Sequence, residues 1–381
     1  MLIEDLGYRP PSLSELGGIL GRKAWGKLAP TENTKTDFEL PLAILSSEPL
    51  ICYSGIVPNA PLGAAGLVDD GMRQKPAWFL LSPTWTLEDR ELLQHIRGRA
   101  VLHRRRNPQH KLIFMCNSEE EAALLHEFGE AAFYHNKTTN TSEALFRPLA
   151  NVEREFDAIY NAQLAPWKRH ELTLEIERCG FLFYRGISSD NASEAALIAR
   201  HAAEAPGHVF INEIGDDGLP MRLPPERVNH HLNRSAVGLC LSAKEGAMFA
   251  CAEYLLAGLP VITTPNQGGR DFYLDDDYCI TVPADPRAIA EGVAALKARQ
   301  IPPEHIRERT LGRMQRHRER FRELIDGILA ECGAPQRTDS SWPADIAVVL
   351  KWVLASEARK RILAGTQDRA GQILLGARAD A

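Results

Sequence analysis

At 381 residues, with 44% hydrophobic and 25% charged, the chain is long enough for two to three globular domains that each bury a core. A formal net charge of −6 argues against broad nucleic-acid binding, which needs a basic face. No apolar run is long enough to span a bilayer, and Met1-Leu-Ile-Glu-Asp lacks the basic start of a secretory signal.

The seven cysteines (52, 116, 179, 240, 251, 279 and 332) are scattered without C-x-x-C spacing. They read as buried free thiols of a cytoplasmic protein, not as a zinc site or a disulfide framework. Residues 1–40 carry Pro10-Pro11 and Gly17-Gly18 without a sustained period, and read as a flexible lead-in. Strand-like runs follow at 42–45, 50–53 and 78–81, then an amphipathic helix over 87–96 with Thr86 as its N-cap. His103-Arg-Arg-Arg106, near His110 and Lys111, is the one dense basic patch. A solvated face explains it more readily than an acidic acceptor or peripheral contact with an anionic membrane. A strand over 111–116 runs through Asn117-Ser118 into a helix with an acidic first turn, and a further strand over 131–136 precedes Phe146-Arg-Pro148. The expected domain boundary is 148–155.

The second domain opens with a strand over 156–160. Beyond it, Asn161-Ala-Gln163-Leu-Ala-Pro-Trp-Lys168-Arg169 leads into an expected helix ending near Gly180. Cations at a helix start oppose its dipole, so Lys168 and Arg169 point to an anionic ligand rather than to an idle polar pair. Strands at 181–185 and 208–212 flank a helix over 192–205, and Leu223-Pro-Pro225 introduces another helix. His230 and His231 sit side by side on that helix, where adjacent side chains diverge, so they do not read as a metal pair.

The most informative stretch is Glu245-Gly-Ala-Met-Phe-Ala-Cys-Ala-Glu253, followed by Gly258-Leu-Pro-Val-Ile-Thr-Thr264. A buried strand over 237–242, a helix over 247–257 and a strand over 261–264 make a unit whose helix N-terminus faces the loop. The unpaired amides of Gly246, Ala247, Met248 and Phe249, with the helix dipole, make an anion site there. From a start near Ala247, Glu253 lies roughly 9 Å along the helix, within reach of a ribose whose diphosphate sits at the helix mouth. The plain alternative is a solvent-facing Glu245 and an ordinary helical Glu253. The acidic run 275–277 lacks the alternation of a calcium loop and reads as a turn. A helix over 287–298, a long charged helix over 304–331 and a helical appendix over 342–365 complete the chain.

The combination Ser242-Ala-Lys-Glu245-Gly…Glu253…Gly258-Leu-Pro-Val-Ile-Thr-Thr264…Gly268-Gly269 resembles the donor-site signature of the retaining group-one (family four) glycosyltransferases. The likeness covers about 110–325 and is densest over 233–270. It implies an α/β protein of GT-B fold, two Rossmann-like domains with parallel sheets facing across a cleft. Residues 1–150 would form the acceptor domain, 151–330 the nucleotide-sugar donor domain, and 331–381 a helical extension packing back on the first. It further implies retaining transfer without a metal or other cofactor, a nucleotide-sugar being co-substrate. Glu245 would orient the sugar, Glu253 would hold the ribose, and Lys168 would grip the leaving diphosphate. Where the family carries an arginine this chain has Gln163, so one phosphate partner is missing. Arg169, Arg234 and Arg270 are the substitutes within reach along the sequence. The acceptor, a glycan, a lipid-linked sugar or a small molecule, is not legible. Two other readings stay open: a GT-B-fold nucleotide-sugar epimerase or hydrolase, and a degenerate member that binds nucleotide without turnover.

Overall fold

A computed structural model describes residues 2–21, 37–68, 72, 75–184, 191–216, 218–335, 351–365 and 367–368. Contacts divide the chain into two compact units, Met1–Asn140 with Arg316–Ala381, and Thr141–Gln315. The chain therefore enters the second unit before the 148–155 stretch read as the boundary.

The first unit begins with α1 (Leu2–Asp5) and α2 (Leu13–Gly21), so Gly17 and Gly18 lie in a helix and not in a flexible lead-in. β1 (Glu39–Ser47) and β2 (Leu50–Ile56) pair antiparallel. β3 (Ala77–Pro83), α3 (Arg90–Arg106), β4 (His110–Cys116), α4 (Glu119–Glu127) and β5 (Ala132–Tyr134) follow, the strands running parallel to β2. Asp89, not Thr86, caps α3: its carboxylate accepts from the Leu92 amide at 3.0 Å. The helix runs on through the basic patch and consumes part of it. Arg104 pairs with Glu130 and lies over the Tyr8 ring, while His103 Nε2 is 3.0 Å from His110 Nδ1. Arg105 and Arg106 are left exposed. Ser118 caps α4 as the sequence suggests, accepting from Glu121 N at 3.1 Å.

The second unit holds β6 (Phe156–Asn161), β7 (Cys179–Leu182), α5 (Asn191–Glu204), β8 (Val209–Phe210), α6 (Pro225–Asn233), β9 (Ser235–Cys240), α7 (Phe249–Leu256), β10 (Val261–Thr263), β11 (Cys279–Thr281) and α8 (Pro286–Arg299). Its six strands are all parallel, in the order β11-β10-β9-β6-β7-β8. Such strands are covered on both faces, which is why they read as unbroken apolar runs.

The long helix α9 (Pro303–Glu331) lies across the division point in sequence. Ile306 and Met314 belong to the second unit's core, and Phe321, Leu324, Ile325 and Ile328 to the first's. In the first unit the side chains of β1 alternate: Leu40, Leu42 and Ile44 join one core, Ala43 and Leu45 the one under α9. β12 (Lys351–Leu354) and α10 (Ala355–Ala364) end the described chain. Residues 351–354 are thus a strand where a helical appendix was expected. Trp352 and Val353 favour extended backbone, and β12 pairs antiparallel with β1, Val353 opposite Leu40. The rest of the expected appendix, 342–350, lies outside the described residues. Six cysteines are buried free thiols, but Cys332 is exposed just past the end of α9.

Candidate functional site

In the second sheet the strand order reverses between β6 and β9, which lie side by side while their chains continue to opposite edges. Loops leaving such a switch point open a crevice at the carboxyl ends of the strands, the usual ligand position in open α/β sheets. The loops that leave β6 and β9 here are 162–169 and 241–248, and they carry most of the residues singled out in the sequence.

The first loop contains no α-helix. Pro166 opens a short 3-10 turn, Pro166–Lys168; Arg169 takes a left-handed backbone with φ of 53°; a second turn, His170–Thr173, follows. This corrects the expected helix ending near Gly180, and with it the dipole argument for Lys168. The Tyr160 hydroxyl donates to the Lys168 carbonyl at 2.7 Å and holds the turn down. From there the Lys168 ammonium pairs with the Glu245 carboxylate, and both side chains are largely enclosed. Ser242 Oγ donates to the same Glu245 oxygen at 2.6 Å.

Arg169 points the other way. Its guanidinium donates to the Leu241 carbonyl, Nε at 2.6 Å, and to Thr264 Oγ1 at 2.7 Å. Arg270 is fully buried, donating to the Cys240 (3.1 Å), Ser242 and Thr264 carbonyls and to Asp271 (2.8 Å). Both arginines staple strand ends together. Arg234 pairs with Glu155 near the amino ends of the strands. All three substitutes weighed for the charge missing at Gln163 are therefore engaged with protein groups.

The loop before α7 is stitched to the Gly268-Gly269 segment: Glu245 N donates to Gln267 O at 3.0 Å, Gln267 N to Ala243 O at 3.0 Å, and Gly269 N to Gly246 O at 2.9 Å. α7 then starts at Phe249, two residues later than expected, and Met248 caps it without a side-chain bond. The amides of Gly246, Ala247, Met248 and Phe249 meet no protein acceptor among the described residues. At the other end Gly258, at φ 78°, closes a Schellman motif, with Leu259 N donating to Tyr254 O at 2.9 Å.

The late start brings Glu253 to roughly 6 Å along the helix. Asn161 Nδ2 donates to Glu253 Oε2 at 3.0 Å. Burial raises the Glu253 pKa to about 7, against the opposing Asn161 bond and Arg222 charge. Tyr254 anchors the same corner, its hydroxyl accepting from Asn161 N at 2.6 Å. Gly238 on β9 makes room for that ring, since a Cβ there would stand 2.5 Å from it.

Two neighbours carry no sequence signal of their own. Tyr184 lies just beyond β7, where burial pushes its hydroxyl pKa up and Gln163 opposes that, and the Arg222 charge acts on both Tyr184 and Glu253. Only their place one and two strands from β6 in a doubly wound order would have pointed to them. A hollow of about 420 Å³ lies elsewhere, lined by Glu155, Phe156, Arg178, Val209, Phe210 and Arg234 among others. The His230 and His231 rings stand at 83° to each other, and His231 Nδ1 faces Arg234 at 3.0 Å.

No family model and no curated protein matches the sequence. Among solved structures, a sucrose-phosphate synthase from Thermosynechococcus elongatus is similar at a TM-score of 0.50 and 14% identity, over 68% of this chain and 69% of that one. HepE from Anabaena, solved with UDP and glucose, is similar at 0.45 and 11%, over 65% and 77%. The C-terminal domain of a group 1 glycosyl transferase (LpcC) from Francisella tularensis is similar at 0.35 and 15%, over 46% and 97%. The chain is an α/β protein of GT-B fold, with two six-stranded sheets dominated by parallel pairing.

Proposed function

We propose that the chain is a glycosyltransferase that takes its sugar from a nucleotide-sugar and passes it, with retention and without a metal, to a hydroxyl acceptor. One observation carries this reading: at the switch point, the enclosed Lys168–Glu245 pair stands beside a helix mouth whose amides have no protein acceptor among the described residues. A diphosphate laid on those amides would draw the Lys168 ammonium toward its oxygens and leave Glu245 to accept from sugar hydroxyls. Glu253 and Asn161 would bind the ribose. In the reaction the bond from the anomeric carbon to the diphosphate oxygen breaks and a bond to the acceptor oxygen forms. The acceptor's proton goes to the departing phosphate, whose charge the amides, the dipole and Lys168 stabilise as it develops.

A second reading has its own support. Arg169 and Arg270 are tied to strand carbonyls and Lys168 is already paired, which suits a member that binds nucleotide without turning it over.

The test is a panel of UDP-, GDP-, ADP- and CMP-sugars scored by melting shift and by nucleotide release, with product analysis in the presence and absence of acceptors. At least one donor is expected to raise the melting point, since ligand at about a hundred times its dissociation constant adds ~2.7 kcal/mol. Lys168→Ala is expected to lose roughly 1.5–3 kcal/mol of donor binding or transition-state stabilisation. No shift with any donor, or unchanged kinetics in the variant, would refute the assignment.

A further inference from the structure

Side chains hold three successive carbonyls where β9 runs into its loop. Cys240 O accepts from Arg270 at 3.1 Å and from Thr263 Oγ1 at 3.2 Å. Leu241 O accepts from Arg169 Nε at 2.6 Å and from Thr264 Oγ1 at 3.1 Å. Ser242 O accepts from Arg270. So many donors on three residues leave the backbone little freedom, and Ser242 itself is fully buried. The clamped strand end therefore aims the Ser242 side chain, and it aims it at Glu245: Oγ donates to Oε1 at 2.6 Å.

Two donors converge on that one carboxylate oxygen, since Lys168 Nζ takes the same Oε1. Oε2 accepts from no protein donor among the described residues. The two donors differ in what they can do when an anion arrives. The lysine ends a short turn and carries its charge on a flexible four-carbon stem, so it can swing to phosphate oxygens. The Ser242 hydroxyl, on a single carbon from a clamped backbone, cannot follow. Resting on the donor-site reading above, we propose that Ser242 is a positioning residue, which keeps hold of Oε1 when Lys168 leaves for the diphosphate and so keeps Oε2 turned to the sugar hydroxyls. Arg169 and Arg270 then have a task although neither meets the ligand: through the strand end they fix the hydroxyl that fixes Glu245.

The experiment measures nucleotide release from the UDP-, GDP- and ADP-sugars of that panel, and the binding of UDP, GDP and ADP alongside. The proteins are the full chain, Ser242→Ala, Ser242→Thr, Glu245→Ala and the double variant Ser242→Ala with Glu245→Ala. Ser242→Ala is expected to lower kcat/KM for the donor roughly tenfold, as for loss of a hydrogen bond to a charged group, while the bare nucleotide binds as it does to the parent. Ser242→Thr, which keeps the hydroxyl, is expected to stay close to the parent. In the Glu245→Ala background the serine substitution is expected to cost nothing further, because Ser242 acts through that carboxylate. Equal losses for donor and bare nucleotide would make Ser242 a part of the general structure and overturn the role. Unchanged kcat/KM, a threonine variant as weak as the alanine one, or full additivity with Glu245→Ala would overturn it too. If the parent releases nucleotide from none of the donors, the donor reading itself falls, and this role with it.

Discussion

The two ends of the second sheet carry charges in comparable number and treat them differently. At the amino ends the charges neutralise one another: Glu155 with Arg234, and Asp157 with Lys297 and Arg178. The hollow there is lined by Glu155, paired with Arg234, and by Arg178, paired with Asp157. At the carboxyl ends the helix mouth presents amides without protein acceptors among the described residues, and the half-buried Glu253 meets the Asn161 amide. Arg222 adds a guanidinium that donates to no protein acceptor among the described residues. On the proposed donor site, unfinished hydrogen bonding marks a ligand position that concavity does not, because a buried polar group without a partner is unstable until something supplies one.

The largest effect that can break this contrast concerns Arg270, which holds the carboxyl ends together. Removing it leaves the Ser242 carbonyl without this donor in a buried place, and the Cys240 and Thr264 carbonyls with only the Thr263 hydroxyl to share. Arg270→Ala is expected to destabilise the protein by about 3–5 kcal/mol in denaturant unfolding. A loss under about 1 kcal/mol would show that the strand ends hold their positions without it.

Glu253 comes next, and its effect depends on pH. A carboxyl raised from 4.5 to about 7 binds its proton more tightly in the folded protein than in the unfolded chain. The stability this contributes is complete below pH 4.5 and is lost as pH rises through 7. Glu253→Gln cannot ionise, so its stability relative to the parent should climb over that window. At pH 8 the variant should be the more stable by up to about 3 kcal/mol, and at pH 4 the two should nearly coincide. A difference that stays flat from pH 4 to pH 8 would mean that the carboxyl is solvated.

How much of this was legible beforehand follows from which signals are local. The α/β alternation, the Ser118 cap and the strand–helix–strand unit around Glu245 depend on neighbouring residues, and the structure forms them at nearly the expected positions. The pairing of Lys168 with Glu245 was not legible: the sequence offers Lys168 for the diphosphate and Glu245 for the sugar that it carries. Their contact bridges 77 positions and needs the β6–β9 adjacency. The tie of Arg169 to Leu241 and Thr264 was not legible, since it joins residues far apart in sequence and a non-glycine residue at positive φ gives no pattern to read. Thr86 lost the cap to Asp89 for a subtler reason. Both residue types suit the role, and Glu121, which accepts from the Leu87 amide at 2.8 Å, keeps that stretch out of the helix. Tyr184 and Arg222 were invisible, since only strand order brings them near Glu253.

The smallest effect tests the other half of the comparison. Glu155 is half exposed and Arg234 about a quarter exposed, and the guanidinium also lies 5.7 Å from the centre of the Phe156 ring. Replacing Arg234 alone removes ring and histidine contacts along with the ion pair. A double-mutant cycle over Glu155→Ala and Arg234→Ala is therefore needed to isolate the charge coupling. It should return only about 0.2–1 kcal/mol, shrinking with added salt, because solvent screens a pair this accessible. Nucleoside diphosphate binding should be the same in all four proteins of the cycle. A tenfold loss of binding in either variant would move the ligand to the amino ends, where the hollow of about 420 Å³ lies, and reverse the lesson drawn from the two ends of the sheet.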